Sequence, residues 1–482
     1  MANLGRNSSI RERGLIKLKD QLGSFRLPIK RIKGYEKNRR SDFVASNFLN
    51  VNFQSLSQLE IKSSISYDND TVYIELRPNG VIGAVPLFSI ETRRIIGGII
   101  VEPRFGWNDI GPLLSTIGWS ASPQLLNFPM IPGCAREIPP WVLAGPIIER
   151  LTILLKNINR GFSLINEIRE SPRGRINWQE YISHSIAIGK FNKLPCSFPD
   201  LNENNLLRSY IRWGLESIKN SLLVANANDS TSAGLISRIE YLLVLVKDVN
   251  SKIPTKDSLE RILQNNTLLT DQFISGIQSL SWIREERGLA GQREPDGLAW
   301  KIQMSELFEK WVEAISRIWA LKFGGIVKTS RQDSSRVPIQ WSNRGLKSMT
   351  SLIPDITIET PDTVFIIDAK YKKLYEELDD QKWRELSKEL QEEHRHDIHQ
   401  ILAYASLFNK TRIVSILAYP LTDETYTNLS SRSRLLNRAV IPIENKTLEI
   451  GIIGLPLSIN HENGVKEISE QLNPLRYPLA GY

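Results

Sequence analysis

The order of segments in this chain predicts an α/β, multi-domain fold, and three observations carry that expectation. The chain has 482 residues, more than one ordinary hydrophobic core fills, so two or three domains are expected. Short β-branched runs broken by Pro, Gly and Asn crowd residues 71–103, whereas apolar residues recur at helical spacing over 140–158 and 205–249. The last third alternates helix, strands, helix and strand, the order of a mixed central sheet flanked by helices. The expected division is a basic arm or extension at 1–65, a β-rich domain at 66–135, a mostly helical middle at 136–297 and an α/β domain at 298–482.

Residues 1–40 carry twelve Lys and Arg against Glu12, Asp20 and Glu36, which fits either an arm touching a polyanion or a solvated terminus. TVYIELRP, GVIGAVPLF and RIIGGIIVEPRF then read as strands, and WNDIGPLLSTIG as loop and short helix. Pro139-Pro140 opens a helix over 140–158, for which Gly161 is a plausible stop. Residues 173–196 read as strand and turn pieces. The polar, Gly-bearing stretch 285–297 (EERGLAGQREPDG) reads as a linker. Beyond it, Met304, Leu307, Phe308, Trp311, Ile315, Ile318 and Trp319 form the apolar stripe of an amphipathic helix. A basic, Ser-rich loop follows, then a hairpin about Pro361-Asp362, a charged helix near 379–408, a strand at 412–420 and the apolar run LEIGIIGLPL.

The composition, 41% hydrophobic and 24% charged, is that of a water-soluble globular protein, and the net charge of +8 suits a polyanionic partner. Cys134 and Cys196 are the only cysteines, which argues for a reducing compartment and against a disulfide framework or a cysteine zinc site. No signal-like apolar core and no run of about 18 apolar residues occurs. The expectation is a cytoplasmic protein with no membrane partner.

The segment PDITIETPDTVFIIDAKYK (354–372) carries the chemistry. Strand side chains alternate faces, so Asp368, Lys370 and Lys372 share one face and Ile367, Ala369 and Tyr371 the other. If the strands fold symmetrically about Pro361-Asp362, Asp355 lies opposite Asp368. Two carboxylates so close are costly unless a positive charge sits between them. Mg²⁺ is the natural candidate, with Mn²⁺ as a possible substitute, because hard cations take one or two carboxylates plus water and phosphate. The Ala369 carbonyl is a further oxygen. Lys370 would orient or deprotonate an attacking water, or stabilise developing charge. The plainer alternative is a pair of edge acids neutralised by Lys370 and Lys372.

Pro354-Asp355 followed by Asp368-Ala369-Lys370 resembles the PD-(D/E)xK nuclease motif. Gln400 and Tyr404, in QILAY, resemble the Q-x-x-x-Y motif of its RecB-like branches, and Leu307-Phe308-Glu309 resembles the first-helix acid of that branch. The resemblance implies a nuclease domain at 298–482 with Asp355, Asp368, Lys370, Glu309, Gln400 and Tyr404 as catalytic residues. It also implies Asp355, Asp368, Ala369 and Glu309 around the metal. More narrowly, IIDAKYK, LFEKW and QILAYA resemble McrC, the nuclease subunit of McrBC-type restriction systems. Weaker likenesses upstream (GVIGAVPL, IIVEPRF, LLKNINRGF, RGRIN) extend the match over roughly 70–455. Residues 1–65 and the helical 215–285 segment depart from the pattern.

The McrC resemblance implies that the chain cuts DNA as part of a complex. An AAA+ GTPase or ATPase partner resembling McrB would supply recognition and translocation, and the 65–135 region would dock on it and stimulate it. The chain itself has no G-x-x-x-x-G-K-[ST] phosphate loop. Arg104 is either a docking cation or half of an internal ion pair. Two other classes stand beside this one: a catalytically weak adaptor that activates an AAA+ ring, and a free-standing DNA nuclease of recombination or repair. His394, His396 and His399 raise a zinc alternative. Trp107, Trp119, Trp141 and Trp178 read as core or as a base-stacking pocket. Lys328, Arg331, Arg336 and Arg344 read as phosphate contacts or a solvated loop.

Overall fold

The computed structural model describes residues 14–32, 40–68, 71–119, 121, 123–134, 139–158, 161–202, 205–225, 230–265, 270–285, 297–332, 336–339, 341–342, 349–375, 385, 387–443, 446–458 and 464–479. The fold is mixed α/β with several sheets. It divides into two compact units, Met1–Pro139 with Pro295–Tyr482, and Pro140–Glu294. Most of the expected linker at 285–297, and Arg344, lie outside the described residues.

The first unit begins with β1 (Leu15–Lys19), β2 (Phe25–Pro28) and α1 (Ser41–Gln58). The basic N-terminal segment therefore contributes β1 and β2 to the fold, while its residues 1–13 and 33–39 lie outside the described residues. Next come β3 (Lys62–Asp68), β4 (Thr71–Arg77), β5 (Val81–Phe88), β6 (Ile95–Glu102), α2 (Trp107–Thr116) and β7 (Gln124–Leu125). β1 runs parallel to β6, and β5 antiparallel to it. All but the last residue of β5 is buried, as a central strand covered on both faces requires.

In the second unit α3 (Trp141–Lys156) is followed by β8 (Gly161–Arg169), β9 (Arg175–Ile176), the single turn α4 (Trp178–Glu180) and β10 (Leu194–Asn202). β10 pairs antiparallel with β8 and β9, so Gly161 starts a strand as well as following a helix. Four helices complete the unit: α5 (Asn205–Ala225), α6 (Ser230–Leu245), α7 (Lys256–Asn265) and α8 (Asp271–Arg284). α3 packs against α5, α6 and α8, and its first eight residues are all buried.

The first unit resumes with β11 (Trp300–Gln303), which joins β5 and β7 to complete the sheet β1-β6-β5-β11-β7. Gly83 permits that pairing, since a Cβ there would sit 2.2 Å from the Trp300 carbonyl oxygen. β11 leads directly into α9 (Met304–Leu321). Then follow β12 (Ile326–Thr329), β13 (Val337–Pro338), β14 (Ser351–Leu352), β15 (Ile356–Glu359), β16 (Thr363–Ala369), α10 (Lys388–Ala405) and β17 (Arg412–Leu421). The chain ends with α11 (Asp423–Ser431), β18 (Leu436–Ile443), β19 (Lys446–Pro456) and α12 (Gly464–Glu470).

These strands form a mixed sheet in the order β12-β15-β16-β17-β19-β18. β16 is antiparallel to β15 and parallel to β17. Helices cover alternate faces of β16. Trp319 of α9 meets Phe365 edge-on at 4.9 Å, while Tyr404 and Ala405 of α10 pack with Val364 and Ile366. The even-numbered side chains of β16, Asp368 among them, therefore face α10.

Candidate active site

The hairpin that positions the acids closes at Pro361-Asp362, where Thr360 N donates to Thr363 O at 2.9 Å and Thr363 N to Thr360 Oγ1 at 3.0 Å. The register pairs Ile356 with Ile367, which puts Asp355 opposite Asp368. Asp355 Oδ2 accepts the Ala369 N–H at 3.0 Å. It is thus the amide of Ala369, the residue expected to offer its carbonyl, that is engaged here.

Asp368 is wholly buried. The Lys370 ammonium pairs with its Oδ2 at 2.7 Å, and its Oδ1 is buried with no hydrogen-bond partner. Burial, helped by Asp397 and opposed by Lys370, raises the Asp368 pKa. Burial, the Asp368 charge and Glu309 push Asp355 up to about 7, against the Ala369 N–H and Lys370. A positive charge between two buried acids favours their ionised form, and Asp368 Oδ1, buried without a partner, fits an oxygen ligand for a hard cation.

Lys370 Nζ also donates to Gln400 Oε1 at 2.9 Å, and Gln400 Nε2 donates to Tyr404 OH at 2.9 Å. Burial disfavours the Lys370 charge, but Asp368, Asp397 and Asp355 outweigh it and leave the pKa raised. Lys370 is held as a cation. Tyr404 is pushed up by burial and stays a neutral phenol.

Along α10, Glu393, Asp397, Gln400 and Tyr404 fall on one face and meet the end of β16 in sequence. Lys372 Nζ donates to both oxygens of Asp397 at 2.9 and 3.0 Å and lies 3.9 Å from Glu393. Asp397 is buried and also accepts from Tyr419 OH at 3.0 Å. Sequence reasoning missed Asp397. Its signal was its place three residues before Gln400, on the face that Gln400 shares with Tyr404.

Glu309 stands at the edge of the same site. Ser330 links it there, donating from Oγ to Glu309 Oε1 at 2.9 Å and from N to the Asp355 carbonyl at 2.8 Å. Among the described residues no three His, Cys, Asp or Glu side chains converge on one point. The donor set is therefore a carboxylate pair with an acid to one side, which fits a largely hydrated hard cation and not a fully caged one.

The remaining expectations separate. His394 is partly buried while His396 and His399 are exposed, and they form no cluster. Lys328 and Arg331 are paired with Glu359 and Glu306 at 2.8 Å each, and Arg336 is exposed. Trp119 and Trp141 are core, Trp107 stacks on Trp300 at 5.9 Å, and Trp178 is exposed. Arg104 is turned inward, 4.5 Å from the Phe105 ring centre and 5.1 Å from that of Tyr371, so it is not a surface docking cation. No helix among the described residues is long and apolar enough to cross a membrane.

The mixed sheet presents paired acids and a lysine at one strand end, buttressed by a helix. The family model for the McrBC 5-methylcytosine restriction system component matches residues 143–420, more than half of the chain, and the protein belongs to that family. Among solved structures the chain is similar to one in the refined half-complex from a tetradecameric assembly of Thermococcus gammatolerans McrB AAA+ hexamers with bound McrC. The identity is 13% and the TM-score 0.41, over 96% of this chain and 100% of that one. It is also similar to a chain of the Thermococcus gammatolerans McrBC complex solved by cryo-electron microscopy, at 12% identity and TM-score 0.27, over 63% and 87%. No curated protein matches.

Proposed function

We propose that this chain is a Mg²⁺-dependent DNA endonuclease subunit, McrC-like and of the PD-(D/E)xK type, working in a restriction or antiviral defence complex with an AAA+ GTPase or ATPase ring that it stimulates. One observation carries the proposal: the wholly buried Asp368, its Oδ1 without a hydrogen-bond partner, faces Asp355 across the hairpin with the Lys370 ammonium 2.7 Å from its Oδ2. Family membership over 143–420 supports the restriction context and the partner.

Asp355 and Asp368 would hold the ion, with the Ala369 carbonyl and Glu309, directly or through water, completing its surroundings. Mg²⁺, or Mn²⁺ in its place, supplies Lewis acidity and charge for the phosphate oxygens when bound. The protein's own part is positioning. Gln400 takes one of the three donors of Lys370 and Asp368 draws the ammonium to itself. One N–H then remains for a non-bridging phosphate oxygen or the attacking water. Because the surrounding acids keep Lys370 charged, it serves as a donor to developing negative charge and not as the base. Tyr404 fixes the amide of Gln400, so the face Gln400 presents to Lys370 cannot flip freely.

The test uses the full-length chain with its ring partner, nucleotide, Mg²⁺ and DNA. Lys370→Ala and Asp368→Ala should abolish cutting while partner nucleotide hydrolysis stays at the wild-type level. Cleavage at the wild-type rate by either variant overturns the proposal. Full stimulation of the ring by a wild-type chain that cuts no DNA under any metal condition supports the adaptor reading instead.

A further inference from the structure

The last ladder bond that fixes the end of β16 is Lys370 N to Ala418 O at 2.8 Å. Past it the strand leaves the sheet, and the next two residues are gripped by segments some 270 to 350 positions away in sequence. Tyr371 OH donates to Asp20 Oδ2 at 2.7 Å, and Asp20 Oδ1 accepts the Gly80 N–H at 2.8 Å. Gln21 Nε2 donates to the Tyr371 carbonyl at 3.2 Å. The Arg104 guanidinium lies over the Tyr371 ring and reaches the Lys372 carbonyl at 3.5 Å. Asp20 is wholly buried and Tyr371 nearly so. Asp20 is itself anchored to the sheet, its N–H donating to the Glu102 carbonyl at 2.9 Å.

A buried carboxylate at the end of β1 needs a reason, because burial of an acid is costly without strong donors. The charges of Arg104 and Lys373 lie near enough to favour its ionised form, but neither takes its hydrogen bonds. Its two oxygens are spent on the residue directly after Lys370 and on the turn into β5. A side chain as long as lysine reaches a fixed point only if its backbone is fixed. Lys370 sits at the junction between the sheet ladder on one side and this grip on the other.

Resting on the nuclease reading above, we propose that Asp20 and Tyr371 are positioning residues for Lys370. In this account the N-terminal sheet is a clamp on the catalytic strand, and Lys370 Nζ is aligned with Asp368 and Gln400 only while the clamp is closed. Arg104, packed on the Tyr371 ring, is the wall against which the clamp closes. The segment that reads from sequence as a basic arm thereby supplies a part of the active site's frame.

The experiment uses the full-length chain with its AAA+ partner, comparing Tyr371→Phe, Asp20→Ala and Asp20→Asn with wild type and Lys370→Ala. Tyr371→Phe and Asp20→Ala should lower kcat for DNA cleavage by about 10- to 100-fold while KM stays within about twofold, the cost of misplacing one group by roughly an ångström. Asp20→Asn should recover most of the loss, since its carbonyl still accepts from Gly80 and its amide can donate to the tyrosine oxygen. Amide hydrogen exchange over 366–372 should quicken in Asp20→Ala and not in Lys370→Ala. A wild-type kcat per folded molecule in both Tyr371→Phe and Asp20→Ala overturns the clamp, even if their melting temperatures fall. Wild-type cutting by Lys370→Ala would instead overturn the nuclease reading on which the clamp rests, and these two failures are read from different variants.

Discussion

Asp355 and Asp368 set up a linkage that can be measured without DNA. The Asp355 pKa is raised to about 7 by burial and by Asp368, so the folded chain holds a proton there that the unfolded chain gives up near the ordinary value for an aspartate. An acid with a raised folded pKa makes folding proton-linked, with more protons bound in the folded state. In chelator, stability should therefore fall as pH rises from about 4 to about 7 and level off above. Asp368→Asn removes the neighbouring charge and should flatten that fall, visible as a smaller drop in melting temperature across the window. A wild-type melting temperature that rises over this window relative to Asp368→Asn would contradict the assignment. At this scale the sequence was most legible where spacing fixes geometry. A hairpin turning at Pro361-Asp362 leaves one register, which places Asp355 across from Asp368. Helical spacing placed Asp397 on the face of Gln400 and Tyr404, but its role was not legible, because it depends on the Lys372 ammonium reaching α10, a contact that neither periodicity nor the quoted motifs encode.

Elements built on apolar periodicity came out of the sequence best. The stripe from Met304 to Trp319 is α9, and six of the seven residues named for it are buried, Ile318 being half-buried. The strands between 71 and 103 are β4, β5 and β6. β8 was lost because Asn166 and Glu167 break its pattern and are exposed, leaving no alternation to count. β17 and β19 hold the central sheet through a buried charge cluster that no local pattern announces. Glu449, almost wholly buried, accepts from Arg412 Nε at 2.8 Å and pairs with Arg438. Arg412 in turn donates to the carbonyls of Leu475, Arg476 and Tyr477 and ties down the C-terminal turn. Glu449→Ala leaves two guanidinium groups buried against each other and should destabilise this unit by about 3–5 kcal/mol. Glu449→Gln should cost less, because an acceptor remains. Thermal unfolding compares them, and a Glu449→Ala melting temperature equal to wild type would refute the role given to the cluster.

For the molecule as a whole, the sequence left open what the first 65 residues do. Charge counting could only describe those residues as basic. In the structure β1 enters a sheet with β6 and delivers Asp20 to Tyr371, a contact spanning almost the length of the chain and invisible to any local reading. The same unit thus carries the acids, the lysine and the groups that frame them, and the proposed function stands on the paired acids binding a divalent cation. The most direct measurement is a crystal of the full-length chain soaked in Mn²⁺, with anomalous differences recorded at a wavelength where manganese scatters. The account predicts a peak between the carboxylates of Asp355 and Asp368 that vanishes in Asp368→Asn. Manganese bound elsewhere, with Lys370 still bridging an ion-free acid pair, would contradict it.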